Sequence, residues 1–246
     1  MDRLIYTALS GMNAAMDNQR ATANNLANAS TPGFRGEIFA VTPATVRGEP
    51  PEARAIARGF VRGADMVGGK VTATGKPLDI AVEGTALIAF QAPDGGEIYS
   101  RRGDLRVTAT GVLENGERLP VMGEGGPITV PAGARISIAA DGTVLAADPA
   151  NPDAAAEPIG RIKLVSPEGS QVVKGIDSFL KVPGGGVLPP DPTARVTSGA
   201  LEQSNVDTAE TLVAMIDAQR AFEQRAKIIS TAGELDEAGS RLMSLS

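Results

Sequence analysis

Few side chains in this chain could do chemistry, because its 246 residues include no His, no Cys and no Trp. Neither a Ser-His-Asp triad nor a Cys-His pair can form, and the usual ligands of zinc and redox metals are missing. Two carboxylates facing one cleft could still hydrolyse a glycosidic bond. The candidate pairs are Asp79 with Glu83 and Asp104 with Glu114, but acids on predicted strands and turns are more simply surface groups. We therefore expect a protein that is not an enzyme and has no cofactor and no metal.

The charge balance of the chain indicates which kinds of partner it can bind. The formal net charge is −6, from 23 basic and 29 acidic residues, whereas nucleic-acid binding needs a basic surface. The longest uncharged run near the start, residues 4–16, is interrupted by polar residues and falls short of the roughly 18–20 apolar residues of a membrane helix. Asp2 and Arg3 cancel, so no positively charged leader precedes this run. We expect no nucleic-acid partner, no direct membrane span and no cleavable signal peptide.

The elements that would position these side chains begin and end with a helix. Apolar or small residues at both ends alternate at spacings of three and four, which is typical of a helix with one apolar face. The first pattern stops at Pro32 and Gly33, a turn signal, and Ser204 or Asp207 could cap the second helix. The apolar positions are Ile5, Leu9, Met12, Met16, Ala23 and Leu26 in the first helix, and Leu212, Met215, Phe222, Ala226 and Ile229 in the second.

The middle of the chain is rich in β-strand signals. Short runs with β-branched residues recur at 78–82, 87–90, 105–107, 128–130, 136–138 and 162–165, and Asp-Gly or Asn-Gly pairs at 94–95, 115–116 and 141–142 favour hairpins. The predicted fold class is α+β, with terminal helices paired in a coiled-coil-like manner around an antiparallel all-β domain. The predicted segments are an N-terminal helix at 1–30, an extended connector with a few strands at 31–75, a β-rich domain at 76–199 and a C-terminal helix at 200–246.

The first helix needs a partner. Residues 1–29 contain Gly11 and six Asn or Gln, which lower the helix propensity, and an isolated helix of this length is marginal in water. The partner is either the C-terminal helix of the same chain or the helices of neighbouring subunits. Helical periodicity alone leaves both alternatives open.

Two separated sequence blocks carry a resemblance to a known family. Residues 24–34 (NNLANASTPGF) and 198–206 (SGALEQSNV), followed by helix segments at 215–220 and 227–232, resemble the signatures of the flagellar rod and hook proteins. The resemblance implies a structural subunit of the basal-body rod that polymerises helically through its terminal helices. It also implies export through the flagellar type III channel to the periplasm, and contacts with copies of itself, with other rod proteins including the distal-rod protein, and with the export apparatus.

The sequences of residues 1–8, 29–35 and 242–246 resemble those of the proximal-rod members of the family. The distal-rod member is the alternative. An alternative from another functional class is a peptidoglycan-active enzyme that uses the acid pairs named above. A ligand-binding module is a further one, although the Gly-rich runs at 123–126 and 184–186 do not open a helix after a strand. The residues predicted to form the assembly interface are Ile5, Leu9, Met12, Met16, Asn25, Leu26, Asn28, Pro32, Gly33, Phe34, Leu212, Met215, Phe222 and Ile229.

Overall fold

The computed structural model describes residues 2–46, 54–151, 155–175 and 177–244. The chain forms two compact units. The first, here called the helical unit, comprises Met1–Ala27, Glu37–Arg62 and Asp207–Ser246. The second, here called the β unit, comprises Asn28–Gly36 and Gly63–Val206. No helix among the described residues is both long and apolar enough to cross a membrane.

The helices and strands follow in chain order. The helices are α1 (Asp2–Ala27) and α2 (Thr208–Ser244), with a short 3-10 helix at Pro183–Gly185. The strands are β1 (Glu37–Val46), β2 (Arg54–Ala64), β3 (Val71–Ala73), β4 (Ile80–Val82), β5 (Leu87–Gln91), β6 (Glu97–Ser100), β7 (Leu105–Val107), β8 (Leu113–Asn115), β9 (Met122–Gly123), β10 (Gly126–Pro127), β11 (Arg135–Ile138), β12 (Thr143–Ala147), β13 (Glu157–Arg161), β14 (Leu164–Val165), β15 (Val173–Lys174), β16 (Leu180–Lys181), β17 (Val196–Ser198) and β18 (Ala200–Glu202). The predicted α+β class, with paired terminal helices and antiparallel strands between them, is confirmed.

The helical unit contains α1, α2 and the two-stranded sheet of β1 and most of β2. α1 and α2 pack against each other. The seven residues that join β1 to β2 are too few for a crossover connection, so the two strands form a hairpin. This hairpin and β3 occupy most of the segment 31–75, for which the sequence predicts an extended connector with a few strands.

The C-terminal helix begins later than residue 200, the start of the predicted helical segment. Residues 200–202 form β18, which pairs antiparallel with β3, directly after Gly199 in the left-handed region at φ +77°. The helix begins at Thr208 because Asp207 caps it: its Oδ1 accepts a hydrogen bond from the backbone N–H of Glu210 at 2.9 Å. The helix then runs without interruption through Gly233.

The β unit is built from short antiparallel sheets. The largest has the strand order β14-β5-β6-β16-β15, and a second has the order β11-β12-β13. The predicted turn signals are used as expected: Asp94 and Asp141 each accept a hydrogen bond from the backbone N–H two residues on. Asn115 accepts one from Leu119. The predicted strand at 128–130 forms only an isolated bridge, between Thr129 and Val112.

The central strand β5 is buried on both faces. Ile88 and Phe90 belong to the larger hydrophobic core cluster, whereas Leu87 and Ala89 belong to a smaller one that includes Tyr99. Successive side chains of a strand point to opposite faces, so β5 joins the two clusters. The β unit therefore has a well-formed core of its own, with its large aliphatic and aromatic residues inside.

Candidate assembly surface

The most deeply buried apolar residues of α1 and α2 are small. Among the side chains that the structure describes, the buried apolar residues of the helical unit are all alanines: Ala14, Ala15, Ala21, Ala218 and Ala232, each at most 7% exposed. Small side chains let two helices approach closely, but each alanine removes little apolar area from water. The pairing within one chain therefore leaves several large apolar side chains of these helices exposed and others only half-buried.

Glycines extend this close packing. A Cβ at Gly11 would lie 3.3 Å from Nε of Arg225, so this glycine of α1 faces α2. A Cβ at Gly59 of β2 would lie 3.1 Å from Cα of Ala14 and 2.5 Å from Cζ of Phe39. A Cβ there would displace the Phe39 ring and press on the backbone of Ala14, so the hairpin also lies close against α1.

Many large apolar residues of the helical unit are exposed. On α1, Tyr6, Leu9 and Met16 are 52%, 41% and 51% exposed, and their spacing places them along one side of the helix. Contiguous apolar surface of this kind marks a protein interaction site. The exposed residues of the unit are Tyr6, Leu9, Met16, Ile38, Val41, Phe60, Val61, Leu212, Val213, Ile216, Ile228 and Leu235. In the β unit, which is larger, the exposed ones are Val67, Val71, Val173 and Val187.

The structure divides the predicted apolar interface residues into two groups. Leu9, Met16 and Leu212 are exposed, as expected of residues that face another subunit. Half-buried positions are Met12, Leu26, Met215, Phe222 and Ile229. The side chain of Ile5 lies outside the described part of the structure. That any of these residues contacts a neighbouring subunit stays a prediction.

The asparagines of the turn make contacts within the chain. Asn25 bonds twice to the backbone of Glu37: its Oδ1 accepts from N–H at 2.7 Å and its Nδ2 donates to the carbonyl oxygen at 3.0 Å. Asn24 donates to the Glu37 carboxylate at 2.8 Å. Asn28 accepts hydrogen bonds from both the backbone and the hydroxyl group of Thr31. The Asn-rich block thus joins the end of α1 to the start of β1 and shapes the intervening turn.

The Pro-Gly-Phe part of the turn is also engaged within the chain. Pro32 is half-buried, and Gly33 has φ +67° and donates its N–H to the carbonyl oxygen of Glu202 at 2.7 Å. Phe34 is 5% exposed, and Nζ of Lys174 lies 3.6 Å from its ring centroid, a cation–π contact. Intersubunit contacts of these residues stay a prediction, but each already has a role in the fold of one chain.

The acids considered for glycoside hydrolysis differ in their placement in the β unit: Glu83 is exposed and Asp104 and Glu114 are half-buried, whereas Asp79 is inside rather than on the surface as expected. Glu83 accepts a hydrogen bond from the Thr197 hydroxyl group at 3.0 Å. Asp104 pairs with Arg102 at 2.7 Å, and Glu114 pairs with Arg106 at 2.7 Å. Asp79 is buried, 6% exposed. Glu83, Asp104 and Glu114 therefore each serve a local polar contact.

Sequence reasoning overlooked the alanine face of the helix pair. The large apolar residues of α1 recur at alternating spacings of three and four. The small residues on the neighbouring face recur in the same way, because every face of a helix repeats with the same period. A usable signal was present: α1 contains Ala14, Ala15 and Ala21, and α2 contains Ala218 and Ala232, all of which are buried. Such small residues at helical spacing indicate close pairing and leave the large ones for other contacts.

Comparisons with known proteins identify the family of the chain. Three family models match in chain order: the flagella basal body rod protein at residues 5–35, the flagellar hook protein FlgE/F/G D1 domain at 81–146 and the flagellar basal body rod FlgEFG protein C-terminal at 197–242. The chain is 41% identical to the flagellar basal-body rod protein FlgF of Salmonella typhimurium and 42% identical to that of Escherichia coli, over 100% of each chain. It is 28% identical to FlgG of Bacillus subtilis, over 96% of this chain and 97% of the relative. The chain therefore belongs to the flagellar basal-body rod protein family, in its FlgF branch, and is a structural subunit of the rod.

Proposed function

We propose that this rod subunit polymerises helically through its terminal helices, contacting copies of itself and other rod proteins, including the distal-rod protein. The observation that carries the proposal is the distribution of apolar side chains. Among the described side chains, the helical unit fully buries only alanines as apolar residues, while Leu9, Met16 and Leu212 are exposed and the other large apolar residues of the helices are exposed or half-buried. Neighbouring helices would cover this surface and supply the hydrophobic free energy that the helix pair alone lacks.

The hairpin of β1 and β2 has a second part in this proposal. Ile38 and Val41 of β1 and Phe60 and Val61 of β2 are between 36% and 52% exposed. A two-stranded hairpin is marginal by itself in water, and its contact with α1 at Gly59 covers only part of its surface. We infer that this segment braces neighbouring subunits and adds to the rigidity of the rod.

The position in the rod and the route of export complete the proposal. Identity is higher to the FlgF relatives, 41–42%, than to FlgG of Bacillus subtilis, 28%, which favours the proximal over the distal part of the rod. Membership of the family supports a periplasmic location in the basal body, reached through the flagellar export apparatus without a cleavable signal peptide.

The exposed face of α1 provides the test. Leu9 and Met16 are about half exposed, and completing the burial of each is worth about 1–1.5 kcal/mol. Leu9→Ser combined with Met16→Ser should weaken the intersubunit contact by roughly 30- to 150-fold. Cells that carry only this variant should lose swimming in soft agar and lack complete rods in electron micrographs of their basal bodies.

The matched control replaces exposed apolar residues of the β unit. Val173 and Val187 are 41% and 59% exposed, so Val173→Ser with Val187→Ser removes apolar surface of similar exposure outside the helices. Swimming should be retained. Normal rods with the Leu9 and Met16 variant, or equal loss of swimming with the control, would refute assembly through the helices.

A further inference from the structure

Three chain segments meet inside the β unit near three of the four places where the chain passes between this unit and the helical unit. They are residues 33–36, which precede β1, residues 65–70, which follow β2, and residues 202–205, which precede α2. Backbone hydrogen bonds join them in pairs: Gly33 N–H to the Glu202 carbonyl oxygen at 2.7 Å, Asp65 N–H to that of Gly36 at 2.7 Å, and Gln203 N–H to that of Lys70 at 2.8 Å. Each of the three segments is therefore hydrogen-bonded to both of the others.

One side-chain amide bonds to two of these segments from the third. Oδ1 of Asn205 accepts from the N–H of Gly36 at 2.7 Å. Its Nδ2 donates to the carbonyl oxygens of Asp65 at 2.9 Å and Val67 at 3.0 Å. Close approach of the backbones adds to this contact, because a Cβ at Gly69 would lie 2.0 Å from the carbonyl oxygen of Gln203.

A buried carboxylate lies at the centre. Glu202 is 2% exposed. Its Oε1 accepts from Nη2 of Arg35 at 2.7 Å and from the N–H of Gly69 at 2.8 Å, so it reaches the first and the second segment. Its Oε2 accepts from Nε of Arg101 at 2.7 Å.

The two arginines extend the cluster in different directions. Arg101, 4% exposed, donates its remaining N–H groups to carbonyl oxygens of Val82, Gly84 and Ala86 around the start of β5. Arg35, 5% exposed, also donates to the carbonyl oxygen of Val67. Burial lowers the pKa of Arg35 from its usual value, and the neighbouring Glu202 charge acts in the opposite direction. Removing the charge of one member of such a buried group leaves the others uncompensated.

We propose that Glu202 is the positioning residue of a junction, formed with Arg35, Arg101 and Asn205, that holds the three connecting segments together and anchors them to the core of the β unit. The junction fixes the spacing at which the chain leaves this unit. Its task in the assembled rod rests on the proposed function: a fixed spacing keeps the connections from shearing past one another while the rod transmits torque. Its existence in the single chain does not depend on assembly.

Hydrogen exchange of the full-length chain, read by mass spectrometry, tests the junction. In Glu202→Gln, peptides that contain Gly33, Gly36 and Gly69 should exchange at least tenfold faster, whereas peptides from β5 should be unchanged. The matched control is Glu97→Gln. Glu97 is also a mostly buried carboxylate of the β unit, paired with Lys163 at 2.7 Å, but it contacts none of the three segments in the hydrogen bonds and ion pairs described.

Asn205→Ala serves as a second variant that introduces no unpaired buried charge, and it should speed exchange at Gly36. Unchanged exchange in this variant and in Glu202→Gln would overturn the proposal, as would equal acceleration by Glu97→Gln or uniform acceleration that includes β5. If Glu202→Gln does not fold, the result with Asn205→Ala decides. Because exchange is measured on the unassembled chain, failure of the junction is distinguishable from failure of polymerisation, which the swimming assay reports.

Discussion

Gly33 lies at the most crowded point of the predicted turn, and Gly33→Ala is the sharpest test of why the residue is needed. Its φ is +67°. A Cβ there would lie 2.3 Å from the carbonyl carbon of Arg101, 2.4 Å from the carbonyl oxygen of Arg101 and 2.4 Å from the backbone nitrogen of Arg102. These are backbone atoms, which cannot rotate away, so the two chain segments would have to separate.

The size of the effect can be worked out from a comparison with Gly75. Gly75 has a similar φ of +71°, but a Cβ there would meet nothing within 4 Å. Gly75→Ala therefore carries only the left-handed strain, about 1–2 kcal/mol. Gly33→Ala adds overpacking, which typically costs about 1–3 kcal/mol. The free energy of unfolding should fall by about 2–5 kcal/mol in Gly33→Ala, and by about 1–3 kcal/mol more than in Gly75→Ala.

Tyrosine fluorescence in urea measures this difference. The chain has two tyrosines and no tryptophan, so in a Tyr6→Phe background the buried Tyr99 alone reports unfolding of the β unit. Equal destabilisation by Gly33→Ala and Gly75→Ala would refute the close approach of the turn to Arg101. Gly33 would then be needed for its backbone conformation or for contacts with other subunits.

Two further predictions concern the hairpin and Tyr99. Gly59→Ala should displace the Phe39 ring within the hairpin, push the hairpin away from Ala14 of α1 and destabilise the helical unit by about 1–3 kcal/mol. Far-UV circular dichroism in urea measures this loss, and Gly63→Ala, where a Cβ meets nothing within 4 Å, should cost less. For Tyr99, burial raises the pKa from 10.0 to about 12. Tyr99 therefore loses its proton at a lower pH in the unfolded chain than in the folded one. Its contribution to the free energy of unfolding is complete below pH 10.0 and falls by about 2–3 kcal/mol as the pH rises towards 12. Tyrosinate absorbance near pH 10 in folded Tyr6→Phe protein would contradict this.

Local signals in the sequence were enough to predict the two long helices and the turns, although the second helix begins at Thr208 rather than at residue 200 and no strand forms at 128–130. The helix ends depend on residues a few positions apart, such as Asp207 with Glu210, and the turns at Asp94 and Asp141 depend on a side chain two residues from its partner. Interactions of this range are independent of the rest of the fold. The two sequence blocks near Asn25 and Glu202 could likewise be recognised as family signatures from their amino-acid sequence alone.

The packing of the helices was only partly predictable. The alternation of three and four indicates a helical face but is the same for two adjacent faces. Hydrophobicity favoured the face of Leu9 and Met16, whereas within one chain α1 buries Ala15 and Ala21, because close approach to α2 and to the hairpin requires small residues. Only the tertiary structure shows that the large residues remain exposed.

The ionic junction and the identity of the buried charges were decided by the tertiary structure. In the sequence, Glu202 is an ordinary acid shortly before a helix. In the structure it is paired with Arg101 and Arg35, which lie about 100 and about 170 residues earlier in the chain. A local pattern carries no information about which distant charge will be buried beside it. The sequence by itself therefore determined the helices, the turns and the family. The structure decided which residues of the signature blocks hold one chain together, and which apolar residues are left for its neighbours, because both depend on close packing between segments far apart in the chain.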